Sequence, residues 1–217
     1  MPPATSEGPP FPGGETHHRV TPPRARGLGA FVGSVALRLA GWRIAGALPP
    51  LPRYVLIVAP HTSNWDFPVG LAAKFALGLK AQWLGKHTVF RGPVGWILRA
   101  LGGIPVDRAR PDGTVDAVLA RMRAAPKFIL ALSPEGTRRR TEGWKSGFYR
   151  IAVAAGVPIL PVWFDWSIKT VGLGTPFQPT GVASTDIPRL RALYRKDMAR
   201  RPEYFADIHD HSDPAPP

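Results

Sequence analysis

Residues 54–66 read Tyr54-Val-Leu-Ile-Val-Ala59-Pro60-His61-Thr-Ser-Asn-Trp-Asp66. Tyr54–Ala59 is a short apolar run of the length expected for a buried strand. Such a strand delivers His61 to the mouth of a sheet, with Asp66 five residues on. A histidine with a carboxylate close by is what a general base needs. The carboxylate fixes the imidazole tautomer and stabilises the imidazolium formed when a hydroxyl proton is taken. Ser63 and Asp66 also have the S-x-x-D form of a capping box ahead of an apolar helix containing Phe67, Leu71 and Phe75. The two readings are compatible. A helix start at this point would hold Asp66 near His61 and present unpaired N–H groups to an anion or an oxyanion.

Working outward, four further strands are expected at Ala81–Gly85, Ile104–Val106, Lys127–Leu132 and Pro158–Phe164. Helices are expected at Asn64–Leu79, Val94–Leu101, Thr114–Ala124 and Ser146–Ala155. Strands alternating with helices, and joins marked by Gly92-Pro93 and Pro111-Asp-Gly113, predict one α/β domain over residues 51–206. The basic segment Arg189–Arg201 spaces Leu190, Leu193, Tyr194 and Met198 as one face of a docked terminal helix. Met1–Pro12 is polar and proline-rich, without the basic and apolar regions of a signal peptide. Residues 1–26 and 207–217 are expected to be disordered.

The formal net charge is +13 over 217 residues, which implies an anionic partner: a membrane surface, a nucleic acid or a phosphorylated substrate. There is no cysteine, so disulfides, thiol catalysis and Cys-ligated zinc are excluded. His209-Asp-His211 has metal-ligand residue types but lies in a proline-ended tail, and no metal or other cofactor is expected. No nucleic-acid-binding motif is present, and the basic residues are interrupted by long apolar runs. A basic nucleic-acid or membrane-binding module without catalysis is the rival from another class.

Leu28–Leu48 is apolar and about as long as a bilayer core is thick. Arg38 and Arg43 interrupt it on different faces, and between Glu15 and Asp66 there are six arginines and no acid. Such a segment is drawn to anionic headgroups. Residues 27–50 are therefore expected to form a helix lying on or dipping into the membrane. Trp42, Trp144, Trp163 and Trp166 suit either a membrane interface or a core.

Three more stretches follow His61-Thr-Ser-Asn-Trp-Asp66 in order: Gly102-Gly-Ile-Pro-Val-Asp-Arg108, Ser133-Pro-Glu-Gly-Thr-Arg138 and Val157-Pro-Ile-Leu-Pro161. The ordered set resembles the four motifs of the glycerolipid acyltransferases, the 1-acyl-sn-glycerol-3-phosphate acyltransferase family, over residues 54–165. The resemblance implies a mixed sheet flanked by helices, with the motifs at one edge. It implies a catalytic pair, His61 and Asp66, and an acceptor site with Glu135, Gly136, Thr137, Arg138, Arg108 and Lys86. It implies acyl-CoA or acyl carrier protein as donor and a lysophospholipid as acceptor at a membrane, and the absence of cysteine fits the cytoplasmic face. Pro60, Ser133, Pro105 and Val106 depart from the usual residues, and the last two motivate other acceptors, a lyso-aminolipid or a glycolipid. Without cysteine or a G-x-S-x-G elbow, direct transfer is expected rather than an acyl-enzyme.

Overall fold

The computed structural model describes residues 27–106 and 111–205. One seven-stranded sheet is built from β1 (Arg43–Ala45), β2 (Arg53–Ala59), β3 (Ala81–Lys86), β4 (Gly103–Val106), β5 (Phe128–Leu132), β6 (Ile159–Asp165) and β7 (Thr170–Leu173). Its order is β1-β7-β6-β2-β5-β3-β4. Among these strands β6 and β7 pair antiparallel and the other five pairings are parallel. The expected mixed sheet is therefore present, and the five strands read from the sequence lie within a residue or so of their expected bounds.

The central position of β2 explains its apolar run. It pairs with β5 on one edge and β6 on the other, so both faces must be covered. Val55, Ile57 and Ala59 enter a core with Leu130 and Ile159, closed by α4 (Pro111–Ala124) through Val118 and Met122 and by α5 (Gly147–Ala155) through Phe148 and Ile151. Tyr54 and Leu56 point the other way. They meet Leu160 and Val162 under α2 (Asp66–Ala76) through Val69 and Ala73, and under α1 (Leu28–Leu39) through Leu37. Burying each of the Val, Leu, Ile, Phe and Met side chains among these contributes about 1.5–3 kcal/mol. The helices α3 (Gly92–Ala100) and α6 (Ala183–Arg191) complete the set.

Two expectations are corrected. The 27–50 segment is not one helix. α1 ends at Leu39, Gly41 turns the chain at φ 75°, and Arg43–Ala45 joins the sheet beside β7. Trp42, Ile44 and Leu48 belong to the second core, so the apolar character of this half serves packing. α1 itself lies against α2 at Gly33, where an added Cβ would come within 2.6 Å of the Ala72 carbonyl oxygen. Among the described residues no helix is long and apolar enough to cross a membrane.

The second correction concerns Arg189–Arg201, which is not a helix. α6 stops at Arg191, and the next amides bond three residues back, Leu193 N–H to Leu190 O and Tyr194 N–H to Arg191 O, before a short 3-10 turn at Lys196–Met198. The apolar residues dock as expected; Leu190, Tyr194 and Met198 are buried. Of the two readings left open for four tryptophans, packing is the one the burial supports. Trp42 is buried and Trp144, Trp163 and Trp166 are half-buried, whereas the exposed indoles are Trp65 and Trp96. The tails at 1–26 and 206–217, with His209 and His211, lie outside the described residues.

Candidate active site

Parallel strands leave their carboxyl ends on one edge, which is where open α/β sheets hold ligands. The ends of β2, β3, β5 and β6 all open there, and they carry His61, Lys86, the Glu135–Arg138 loop and Trp166 respectively. Arg108 follows β4 and lies outside the described residues.

His61 follows β2 directly. Its Nδ1 stands 3.1 Å from Asp66 Oδ2. The imidazole is partly exposed while the Asp66 side chain is sealed from solvent, at 21% and 0%. A hydrogen on Nδ1 is the tautomer this carboxylate favours, which leaves the Nε2 lone pair free to accept a proton.

Asp66 is held on every side. Its Oδ2 also accepts the Ser63 backbone N–H at 2.9 Å, and its Oδ1 accepts the Trp166 indole N–H at 2.9 Å. The Ser63 contact has the form of the reciprocal half of a capping box, although α2 begins only at Asp66, with Trp65 as its N-cap. The other half is shifted, because Ser63 Oγ accepts the Trp65 N–H at 3.2 Å. The first turn of α2 is not a set of free donors, since the Asp66 and Phe67 amides bond back to the carbonyls of Ser63 and Asn64. Trp166 is the partner that the sequence did not reveal. It lies a hundred residues from Asp66, just past β6, and no local pattern joins the two.

Glu135 is buried at the end of β5, and its Oε2 accepts the His61 backbone N–H at 2.9 Å. The loop that follows β5 is thereby tied to the loop that follows β2. Gly136 has φ 67°, a conformation suited to glycine, and an added Cβ would press on the Lys145 side chain at 3.2 Å. Thr137 Oγ1 accepts the Arg139 N–H at 3.3 Å, and Arg138 projects exposed from the same turn. Lys86 is exposed at the end of β3. The fold thus brings His61, Asp66 and Glu135 into direct contact and sets Arg138 and Lys86 on the same edge. Ser63 is buried with its hydroxyl oxygen engaged, and the buried Ser133 Oγ has no hydrogen-bond partner, so neither serine has a base in contact.

Burial pushes the Glu135 carboxyl up to about 7; the His61 N–H opposes this, Asp66 adds to it and Arg191 opposes it. A folded-state value above the unfolded one means that the folded protein keeps a proton the unfolded chain releases between about pH 4.5 and 7. The resulting stability is fully present below that window and is lost as pH rises through about 7. Glu135→Gln keeps an oxygen for the His61 N–H and cannot ionise. Wild type is expected to lose on the order of 3 kcal/mol relative to this variant between about pH 5 and pH 8. Urea melts at both pH values measure this, and parallel pH dependences would contradict it.

A family model described as Acyltransferase matches residues 48–165, more than half of the chain. The chain belongs to the acyltransferase family. This acyltransferase is 26% identical over 155 residues to the 1-acyl-sn-glycerol-3-phosphate acyltransferase of Escherichia coli (strain K12), covering 67% of this chain and 60% of that one. It is 30% identical over 107 residues to the chloroplastic 1-acyl-sn-glycerol-3-phosphate acyltransferase BAT2 of Brassica napus, covering 47% of this chain and 31% of that one. The matches thus span less than two thirds of these relatives' own lengths. The crystal structure of the 1-acyl-sn-glycerophosphate acyltransferase PlsC from Thermotoga maritima has the same fold, with a TM-score of 0.56 at 20% identity, covering 76% of this chain and 74% of that one.

Proposed function

We propose that the acyltransferase moves a fatty acyl group from a thioester donor, acyl-CoA or acyl carrier protein, to the free hydroxyl of 1-acyl-sn-glycerol 3-phosphate, giving phosphatidate. The observation that carries this reading is the His61–Asp66 pair, with a partly exposed imidazole backed by a sealed carboxylate. His61 Nε2 takes the proton of the acceptor hydroxyl as its oxygen attacks the thioester carbonyl. Asp66 stabilises the imidazolium that forms. The tetrahedral intermediate collapses by breaking the carbon–sulfur bond, and the imidazolium proton neutralises the departing thiolate. Glu135 fixes the backbone from which His61 projects, which is a positioning role.

Arg138 is the residue we assign to the acceptor phosphate. It is exposed beside a left-handed glycine, on the loop that Glu135 ties to His61, and its planar fork suits a phosphate dianion. A charge-assisted hydrogen bond contributes ~1.5–3 kcal/mol. Arg138→Ala is therefore expected to raise the acceptor KM by roughly ten- to a hundredfold, with the donor KM hardly moved. Arg138→Lys should recover only part. Steady-state kinetics with both substrates varied give the answer, and an effect confined to the donor would contradict the assignment.

The acceptor is tested with purified protein, a radiolabelled acyl donor and a panel of lysophosphatidate, lysophosphatidylcholine, lyso-ornithine lipid and glycerol 3-phosphate. Lysophosphatidate is expected to be the best acceptor. Preference for the lyso-ornithine lipid would favour the reading motivated by Pro105 and Val106.

We place the protein at a membrane surface, on its cytoplasmic face. α1 leaves Leu28, Phe31 and Val32 at 79%, 67% and 54% exposure, in a segment whose only charges are basic. Replacing all three by Ser is expected to reduce flotation with anionic vesicles without lowering the melting temperature, because these side chains face away from α2. Equal flotation of variant and wild type would remove α1 from the membrane contact. Removing residues 1–48 is not an equivalent test, since it would also strip Trp42 and β1 from the core.

A further inference from the structure

The chain after β7 returns to the catalytic edge. Arg201 N–H donates to Thr62 Oγ1 at 3.2 Å, beside His61, and Trp166 N–H donates to the Met198 carbonyl at 3.0 Å. Between this returning segment and the His61–Asp66 loop lies an open cleft of about 560 Å³, whose walls include Ser63, Trp65, Trp166, Asp197, Arg200 and Arg201. The volume is in the range of small-molecule sites.

The charges in the cleft are arranged for an anion. Asp197 is its one acid, and that carboxylate is clamped by Arg195, at 3.0 Å from Nε and 3.1 Å from Nη2. Arg200 is held by ring faces, 4.4 Å from the Trp166 centroid and 5.7 Å from that of Trp65. Arg201 lies 5.6 Å over the ring of Tyr204. Stacking uses the face of a guanidinium and leaves its in-plane N–H donors available. Among the described residues neither guanidinium meets a carboxylate. Two preoriented cations, an aromatic wall and a single acid already paired with Arg195 make a site for a phosphate ester.

The sheet order sets this cleft apart from Arg138. β5 and β6 flank β2 on opposite sides. Arg138 follows β5, and the cleft is anchored at Trp166, which follows β6. His61 sits between. Acceptor and donor must meet at His61, and the two flanks of β2 offer separate places for their phosphates. We infer that the Arg200–Arg201 cleft holds the phosphate of the acyl donor's phosphopantetheine arm, opposite the acceptor phosphate at Arg138. This inference rests on the thioester-transfer reading above.

Binding without chemistry tests it independently of turnover. Equilibrium dialysis with radiolabelled CoA, and separately with 4′-phosphopantetheine, is run on wild type and on Arg200→Gln/Arg201→Gln. Both arginines are exposed and the Arg201 contact to Thr62 is made by backbone, so the variant is expected to fold; an unchanged melting temperature checks this. CoA should bind wild type and bind the variant at least about tenfold more weakly, as expected for losing charge-assisted phosphate contacts. Arg200→Lys/Arg201→Lys should fall between, and lysophosphatidate binding should be unchanged in both. Equal binding of 4′-phosphopantetheine would assign the site to the single phosphate shared with carrier protein, and binding of CoA alone to a nucleotide donor. Either result supports a donor site. CoA binding indifferent to Arg200 and Arg201, or lysophosphatidate binding lost with them, would overturn the inference even if acyl transfer is confirmed. Loss of transfer in His61→Ala with CoA binding retained keeps the two questions apart.

Discussion

His61→Ala is expected to lower turnover by about 10²–10⁴-fold, the usual contribution of a general base. The variant should fold normally. The imidazole is partly exposed, so its removal opens no sealed cavity, and the bond to Glu135 is made by the His61 backbone and survives. Loss should appear in kcat, because the proton is transferred only as the hydroxyl attacks. Near wild-type turnover on the best acceptor would show that His61 is not the base.

Asp66→Asn is expected to be nearly as severe, by about 10²-fold or more in turnover, for a reason written into its contacts. All its partners are donors: the Ser63 amide, the Trp166 indole and the favoured Nδ1–H of His61. An asparagine amide must turn its NH₂ toward one of them. Facing His61, it removes both the charge that stabilises the imidazolium and the acceptor that fixes the tautomer. Facing Trp166, it strands a buried donor against another donor, at a cost of about 1–3 kcal/mol in stability. Activity and urea midpoints measured together separate these effects. A turnover loss no larger than the fraction unfolded would reduce Asp66 to a structural cap.

The parts of this fold that could be read in advance are those whose signal is local. β2 announces itself as an unbroken apolar run because two neighbouring strands cover its edges and two layers of helices its faces. His61 and Asp66 are legible because five residues separate them, and so is the Glu135–Arg138 loop because it follows a strand. β1 is not, being three residues inside the apolar Leu28–Leu48 run, and β7 carries no separate signal in its four residues. Leu28–Leu48 looks like a membrane segment because hydropathy does not distinguish lipid from a core. The turn at Gly41 and the burial of Trp42 show how it is divided. The Arg189–Arg201 segment has a helical period yet folds as turns, since the same spacing of apolar residues suits a chain that docks side by side without continuing α6. Trp166 and the arginines at 200 and 201 reach the site by tertiary folding alone. Arg200 and Arg201 read in sequence as the end of the basic segment Arg189–Arg201, and only the fold sets them beside Ser63 and Trp65.

The central claim, direct transfer with His61 as base, is tested most directly by a rapid-quench single turnover. Excess enzyme is mixed with radiolabelled acyl-CoA and lysophosphatidate, and the label is followed in donor, protein and lipid. The account predicts that label passes from donor to phosphatidate with none held covalently on protein, and that His61→Ala slows this step by about 10²–10⁴-fold. Label accumulating on the protein before phosphatidate appears, or an unchanged rate in His61→Ala, would contradict it.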